Sequence, residues 1–181
     1  MYISVGYICS HRVFCMDHMR SRDKMRIRSY RSSDAKAMAE LFYETVHTVN
    51  RADYTKEQAE AWAPRKRDLE AWDRSFREHY TCVAEEAGQI IGFGDMAPSG
   101  YLDRLYVHKE HQREGVGSQI CDRLEQWKAF PRITVHASIT ARLFFEKRGY
   151  RVLTSQTVER SGVKMVNFVM EKKLEYDGKG Y

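Results

Sequence analysis

The spacing of apolar residues along the chain changes from strand-like to helix-like and back. Apolar side chains recurring every three or four residues predict three helical segments in the first half. Their approximate bounds are 35–47, 55–63 and 69–76. Thr55 with Gln58 three residues later is the pattern of a capping box at the start of the second segment, and Pro64 closes that segment.

Runs rich in β-branched and aromatic residues predict seven strands. Their bounds are 25–31, 80–85, 90–96, 101–107, 132–137, 151–158 and 163–171. Gly88 and Gly162 fall in the turns of two of the hairpins that these strands form. Beyond the fourth strand a helix is predicted over 118–128, and Ser138 caps another over 139–148 that ends at Gly149.

The resulting order, β-α-α-β-β-β-α-β-α-β-β, predicts an α/β fold with a mixed sheet. A chain of 181 residues suits one domain. We place this domain at 25–174, with 1–24 as an N-terminal extension of uncertain role and 175–181 as a C-terminal tail. No apolar run approaches the length that crosses a bilayer, so a membrane span is not expected.

The net charge of +5 suits an anionic ligand such as a nucleotide cofactor, and also weak contact with nucleic acid. The basic residues are spread along the chain in short runs. A small basic nucleic-acid-binding domain is the less favoured alternative, because no clustered basic face or aromatic-rich nucleic-acid motif is present. No nucleic-acid partner is therefore expected.

The four cysteines do not form the pattern of a disulfide framework, which favours a reducing, cytoplasmic location. The N-terminal residues Cys9, His11, Cys15 and His18 could be drawn as a four-ligand zinc site. Their spacing matches no common zinc finger, and fortuitous clustering is the preferred interpretation. No metal is expected.

The clearest chemical signal lies between Tyr101 and Ser118. A strand is followed by a short basic turn, by Gly115 and Gly117, and by a helix. Small residues at a helix start expose unpaired N–H groups at the positive end of the helix dipole, which is an anion site that phosphate usually occupies. The third glycine of a dinucleotide fingerprint is missing, and no Gly-Lys-Ser/Thr follows.

The loop Gln112-Arg-Glu-Gly-Val-Gly117, after a strand ending in Leu-Tyr-Val, resembles the acetyl-CoA pyrophosphate loop of the GNAT (Gcn5-related N-acetyltransferase) superfamily. The stretch Ala141–Tyr150 is similar to the family's Ala-x-x-Leu-Tyr-Glu-Lys-x-Gly-Phe helix, and 168–174 is similar to its last strand. The order of elements also matches, so the resemblance covers about 25–174. It implies a mixed, mostly antiparallel central sheet flanked by helices.

The resemblance implies direct transfer of an acetyl group from acetyl-CoA to a primary amine, without a covalent enzyme intermediate. The acceptor would be a small-molecule amine or a protein or peptide amine, and a homodimer is left open. The alternative within the same family is a module that binds acyl-CoA with weak turnover or none.

The resemblance also implies which residues contact acetyl-CoA. The backbone of Leu105, Tyr106 and Val107 would pair with the pantetheine arm, and an N–H near Val107 would polarise the thioester carbonyl. Backbone N–H groups would hold the pyrophosphate, with added charge from the Arg113 side chain. The loop residues concerned are Gln112, Arg113, Glu114, Gly115, Val116, Gly117 and Ser118.

The second matched motif adds Ser138, Phe144 and Phe145 to the expected cofactor contacts. Ser138 stands where the family often has an asparagine, and its hydroxyl could still bond the pantetheine arm. The family's frequent general-acid tyrosine falls at Phe145, which has no proton to give. The acid is therefore unassigned, and Tyr106 and Tyr150 are the nearby candidates.

Asp103 is the preferred general base, because a carboxylate in an otherwise apolar strand is costly unless it has a task. An ion pair with Arg104 or with a neighbouring strand is the alternative interpretation. His136 on the next predicted strand is the second catalytic candidate. The acceptor pocket carries no readable code, and Tyr43 and Trp62 are candidates only if the first helices wall it.

Overall fold

The computed structural model describes residues 25–174, which form seven strands and five α-helices. The strands are β1 (Arg26–Ser29), β2 (Tyr80–Glu86), β3 (Gln89–Met96), β4 (Tyr101–Val107), β5 (Arg132–Ser138), β6 (Arg151–Arg160) and β7 (Val163–Lys173). The α-helices are α1 (Ala35–Thr48), α2 (Lys56–Trp62), α3 (Leu69–Glu78), α4 (Val116–Glu125) and α5 (Ile139–Lys147).

The strands form one sheet in the order β1-β2-β3-β4-β5-β7-β6. Every neighbouring pair is antiparallel except β4 with β5, which is parallel. The predicted mixed, mostly antiparallel sheet flanked by helices is confirmed. The three helical segments predicted between the first two strands are all present as α1 to α3, whereas the written order of elements counted only two of them.

Two apolar clusters cover the two faces of the sheet, because successive side chains of a strand point to opposite faces. Helices α1 to α3 pack over Phe93 and Tyr106, and α4 and α5 pack over Leu105 and Val107. The alternation along β4 thus sends Tyr106 to the α1–α3 face and its two neighbours to the other.

Two of the predicted helix caps are present. Thr55 Oγ1 accepts a hydrogen bond from the Gln58 N–H at 3.2 Å, and the Gln58 side chain accepts one from the Thr55 N–H at 3.0 Å, which is a capping box. Ser138 Oγ accepts from the Ala141 N–H at 3.1 Å at the start of α5. Local side-chain chemistry therefore sets where these helices begin.

Two glycines of β3 allow α4 to lie directly on the sheet. A Cβ at Gly92 would come within 2.9 Å of the Val116 side chain, and one at Gly94 within 2.8 Å of the Ile120 side chain. Side chains at either position would push the helix away. The close approach holds the first turn of α4 beside the end of β4.

The N-terminal extension, the C-terminal tail and the zinc-site candidate lie outside the described residues. Within 25–174, Cys82 and Cys121 are buried free thiols. None of the helices in that part of the chain is long and apolar enough to cross a membrane.

Candidate active site

Strands β4 and β5 separate after a short paired segment. Their register pairs Tyr101 with Thr134 and Leu102 with Val135. We call the space between the strands beyond this segment the β4–β5 gap. On the other side of β4, the His108 N–H donates to the Ile91 carbonyl at 2.8 Å. Because hydrogen bonds alternate along an antiparallel ladder, the N–H groups of Leu105 and Val107 point away from β3, toward this gap.

The carbonyl of Val107 fastens the end of β4 to its surroundings. It accepts hydrogen bonds from Thr45 Oγ1 at 3.1 Å and from Gln112 Nε2 at 2.6 Å. The Gln112 side chain also donates to the His108 carbonyl at 3.3 Å. The side chain of Gln112 therefore anchors the loop to the strand, and only its backbone N–H is left to serve as the predicted cofactor contact.

The predicted pyrophosphate loop, 112–118, turns through two left-handed residues. Arg113 has φ of 67° and Gly115 has φ of 82°, and Gly115 is the N-cap of α4. The helix begins at Val116, two residues earlier than the predicted 118, because this backbone conformation turns the chain into the helix at once. Its first-turn N–H groups have no partners within the helix and lie at the positive end of its dipole.

The aromatic residues of α5 flank this loop unequally. Gly117 faces Phe144, whose ring would be 3.6 Å from a Cβ at that position. Phe145, also on α5, is fully buried in the apolar cluster between the sheet and helices α4 and α5. Its ring lies edge-on to Phe144 at 5.1 Å and to Tyr150 at 5.0 Å. Phe144 is thus the residue that borders the loop, and Phe145 is part of the core.

Asp103 and His136 are the first residues beyond the paired segment, one on each strand. The β3–β4 register shifts at this point and leaves Asp103 in a bulge. Burial lowers the pKa of His136, and the Asp103 carboxylate acts on that pKa in the opposite direction. The His136 imidazole is therefore neutral at pH 7. Asp103 and His136, the two catalytic candidates from the sequence, lie across the β4–β5 gap from each other.

The alternative role of Asp103 as the partner of Arg104 is only partly realised. Asp95 holds the Arg104 guanidinium with two hydrogen bonds of 2.7 Å, and both side chains are fully buried. Asp103 Oδ2 lies 3.6 Å from Arg104 Nε. His79 Nδ1 approaches Asp95 Oδ2 at 2.6 Å. Asp95 is therefore the main counter-charge of Arg104, and Asp103 is a second carboxylate at the edge of this network.

The ring and carboxylate atoms of His79, Asp95 and Asp103 lie within 4.8 Å of one another, which is close enough to hold a metal ion. The Arg104 guanidinium, however, already donates to both oxygens of Asp95. A cation in that place would have to compete with a buried arginine. The cluster is better described as an arginine-centred ion-pair network.

A small cavity of about 20 Å³ lies beside β4 on the α1–α3 face of the sheet. The polar residues in its lining are Asn50, Tyr54, Gln58, Trp62, Tyr106 and Ser138. Trp62 Nε1 donates to the Tyr106 hydroxyl at 3.2 Å. Burial raises the pKa of Tyr106, so this phenol keeps its proton at neutral pH and is a weaker acid than in water.

Sequence reasoning did not single out Tyr54, which joins α5 and β7 at the same cavity. Its hydroxyl accepts a hydrogen bond from the Ile139 N–H at 3.1 Å and donates to the Val166 carbonyl at 3.3 Å. These partners are 85 and 112 residues away along the chain, so no local pattern marks the contact.

Two candidates lie elsewhere. The Tyr43 ring packs against that of His47, with centroids 4.1 Å apart, and borders a separate surface cleft with Arg65. Of the two substrate candidates, only Trp62 lines the cavity. Tyr150 donates to Glu125 at 3.1 Å, at the last residue of α4. The loop is at the other end of that ten-residue helix, about 15 Å away. Tyr43 therefore borders a different cleft from Trp62, and Tyr150 lies at the opposite end of α4 from the loop.

Comparison with known proteins identifies the fold. A family model of the acetyltransferase (GNAT) domain matches residues 50–173. YafP of Escherichia coli (strain K12), an uncharacterized N-acetyltransferase, is 31% identical over 154 residues, which cover 85% of this chain and 99% of YafP.

Solved structures agree. A GCN5-related N-acetyltransferase from Rhodopseudomonas palustris superimposes with a TM-score of 0.80 at 31% identity, covering 87% of this chain and 100% of that one. YncA from Salmonella typhimurium, solved with its cofactor acetyl-CoA, has a TM-score of 0.64 at 17% identity, covering 87% and 98%. The family model spans more than half of the chain and the E. coli relative is matched over nearly its whole length, and the chain therefore belongs to the GNAT acetyltransferase family.

Proposed function

We propose that the protein transfers an acetyl group from acetyl-CoA directly to a primary amine, with Asp103 as the general base. The observation that carries this proposal is the course of the β4–β5 gap. It runs along β4 from the first turn of α4 to the point where Asp103 and His136 face each other. Acetyl-CoA supplies the acetyl group as an activated thioester.

The residues along the gap have the chemistry that acetyl-CoA requires. The N–H groups of Leu105 and Val107 can donate to the carbonyls of the pantetheine arm, as an edge strand does to an added strand. Loop 112–118 offers the N–H groups of a helix start and the Arg113 charge to the pyrophosphate. This match between donor groups of the protein and acceptor groups of acetyl-CoA supports the cofactor contacts expected from the sequence.

Asp103 would accept the proton that the amine loses as it attacks. Its carboxylate is partly buried, and Arg104 is neutralised mainly by Asp95, so Asp103 can receive a proton without breaking the main ion pair. The Val107 N–H would polarise the thioester carbonyl. No hydroxyl is present at Phe145, and an alkyl thiolate, with a thiol pKa of roughly 8.5, can leave without full protonation.

The test is an amine screen with acetyl-CoA in which the release of the CoA thiol is measured. The screen is then repeated with Asp103→Asn. We expect kcat/KM to fall on the order of 10²–10⁴-fold in the variant, and the residual activity to rise with pH as more of the amine is unprotonated. Asp122→Asn is the control, because Asp122 is an exposed carboxylate of α4 paired with Arg148. Full activity of Asp103→Asn across the pH range would contradict the assignment of the base.

The buried Phe145 favours one alternative, a GNAT module that binds acyl-CoA without turning it over. Binding of acetyl-CoA without thiol release on any amine would support that alternative.

Location in the cytoplasm is also part of the proposal, and the two unpaired thiols Cys82 and Cys121 are compatible with a reducing compartment.

A further inference from the structure

The surface cleft that Tyr43 and Arg65 border is much larger than the cavity beside Tyr106. Its volume is about 370 Å³, which is in the range of pockets that hold small organic ligands. Residues of α1 between 36 and 44 form one wall, and residues 64–69, which join α2 to α3, form the other. We call this space the α1 cleft.

Aromatic rings hold two arginines of the second wall in position. The Arg67 guanidinium carbon lies 4.5 Å from the ring centres of both Phe42 and Trp72. The Arg65 guanidinium carbon lies 5.1 Å from the ring centre of Tyr43. A guanidinium that already packs on a ring loses less side-chain freedom when it binds a ligand. Both arginines are therefore pre-positioned donors in the lining of the α1 cleft.

The positive charge of this wall has no counter-charge in the described part of the chain. Neither Arg65 nor Arg67 forms an ion pair with a carboxylate there, and Arg67 Nη2 is buried without a hydrogen-bond partner. Burial lowers the pKa of Arg67, and the positive charges of Arg104 and Arg160 lower it further. A partly buried cation without a counter-ion is costly, and an anion bound in the cleft would reduce that cost.

The carboxylates of the α1 wall do not cancel this excess. Glu44 is paired with Lys109, whose Nζ lies 3.0 Å from Glu44 Oε2. Glu40 is the other carboxylate of the lining and is exposed. With Lys109 counted, the positive side chains at the cleft outnumber the carboxylates by four to two. The α1 cleft thus favours a negatively charged ligand.

We propose that the α1 cleft binds a small organic anion, with its carboxylate or phosphate group against Arg65 and Arg67 and its apolar part against Tyr43 and Leu69. A guanidinium matches the paired oxygens of either oxyanion. Leu69 is an exposed apolar residue of the lining, and covering it adds hydrophobic free energy. The α1 cleft is separate from the β4–β5 gap, and this inference does not depend on the proposed acetyl transfer.

The experiment titrates the full chain with benzoate, phenyl phosphate, benzyl alcohol and benzylamine, which share a phenyl ring and differ in charge. Binding is followed by NMR of the backbone amides and of the arginine Nε–H groups. We expect the preferred anion to bind at least about tenfold more tightly than benzyl alcohol, with shifts at Arg65, Arg67 and Tyr43. Benzylamine should bind no more tightly than the alcohol. The order of benzoate and phenyl phosphate identifies the oxyanion.

Variants of both walls give effects of opposite sign. Arg67→Gln should weaken binding of the preferred anion by about tenfold, and Arg65→Gln by about threefold, because Arg65 is exposed. Arg67→Lys should keep part of the affinity, because it keeps the charge. Glu40→Gln should tighten binding by about two- to threefold, since it removes a like charge from the opposite wall. Arg123→Gln, an exposed charge of α4 on the other face of the sheet, is the matched control.

Three results would overturn the proposal. One is equal affinity for the anionic and neutral probes, and another is an equal loss in Arg67→Gln and Arg123→Gln. The third is a set of shifts confined to loop 112–118, which would place the anions at the start of α4 instead of in the α1 cleft. If Arg67→Gln does not fold, as its melting temperature would show, the opposite effects of Arg65→Gln and Glu40→Gln decide. Weaker binding in Glu40→Gln would then contradict an anion between the walls.

Discussion

Gly115 shows how one backbone conformation prepares an anion site. Its φ of 82° is one that other residues rarely adopt, and a Cβ there would meet no atom within 4 Å. Gly115→Ala therefore changes conformational strain alone, by about 1–2 kcal/mol. Since this residue aims the first N–H groups of α4, we expect KM for acetyl-CoA to rise by about 5–30-fold.

The turn between β2 and β3 provides the control for this variant. Gly88 has φ of 80° and equally open surroundings, but it lies in a hairpin that the β4–β5 gap does not include. Gly88→Ala should lower the melting temperature by a similar amount and leave KM for acetyl-CoA unchanged. A similar rise of KM in both variants would show that loop conformation has no specific part in binding.

The individual site residues differ in how far sequence could reveal them. Asp103 could be proposed as the base from the sequence, because a carboxylate in an apolar strand is costly and so draws attention. Tyr54 could not be singled out, since it lies outside the helices and strands and reaches the cavity only through partners far along the chain. Tyr43 and Trp62 look alike as aromatic residues of helices, and only the folded arrangement shows that Trp62 lines the cavity.

Pairing of β3 with β4 brings Asp95 beside Arg104, and α3 covers the pair with Ser75. Because both charges are fully buried, removing one leaves the other without compensation. We expect Asp95→Asn to destabilise the protein by about 3–5 kcal/mol, measured by urea or thermal unfolding.

The partly exposed pair Arg142–Glu146 of α5 is the comparison for this variant. Glu146→Gln should cost only about 0.3–0.5 kcal/mol, as is usual for a solvent-exposed pair one helical turn apart. If Asp95→Asn cost no more than Glu146→Gln, the buried pair would not be what joins α3 to the sheet at this point.

Elements whose start is encoded locally were predicted well. The capping box at Thr55 and the cap at Ser138 place the starts of α2 and α5 correctly. The start of α4 was misplaced by two residues, because the left-handed backbone of Gly115 leaves no separate mark in the sequence. The end of α4 was set too late for a tertiary reason, since Trp127 leaves the helix to stack on Tyr80 at 4.8 Å.

At the scale of the whole molecule, the gap arises at the one parallel pair of an otherwise antiparallel sheet. Antiparallel neighbours on both sides hold β4 to β3 and β5 to β7, so the two halves of the sheet can diverge without losing their own pairing. The order of elements could be predicted from hydrophobic spacing. The divergence could not, because it depends on strands that are separated by an entire helix.

This architecture makes a prediction about individual amides. The N–H groups of Leu105 and Val107 point toward the β4–β5 gap, whereas the Tyr106 N–H lies on the side paired with β3. If the pantetheine arm pairs with β4, saturating CoA should slow hydrogen exchange at Leu105 and Val107 by at least about tenfold, measured by NMR. Exchange at Tyr106 should be slow with and without CoA, which makes it the internal control. First-turn amides of α4 should also slow, since the pyrophosphate would occupy them. Protection of the α4 amides without protection of Leu105 and Val107 would mean that CoA binds at the loop but that its arm does not follow the gap toward Asp103.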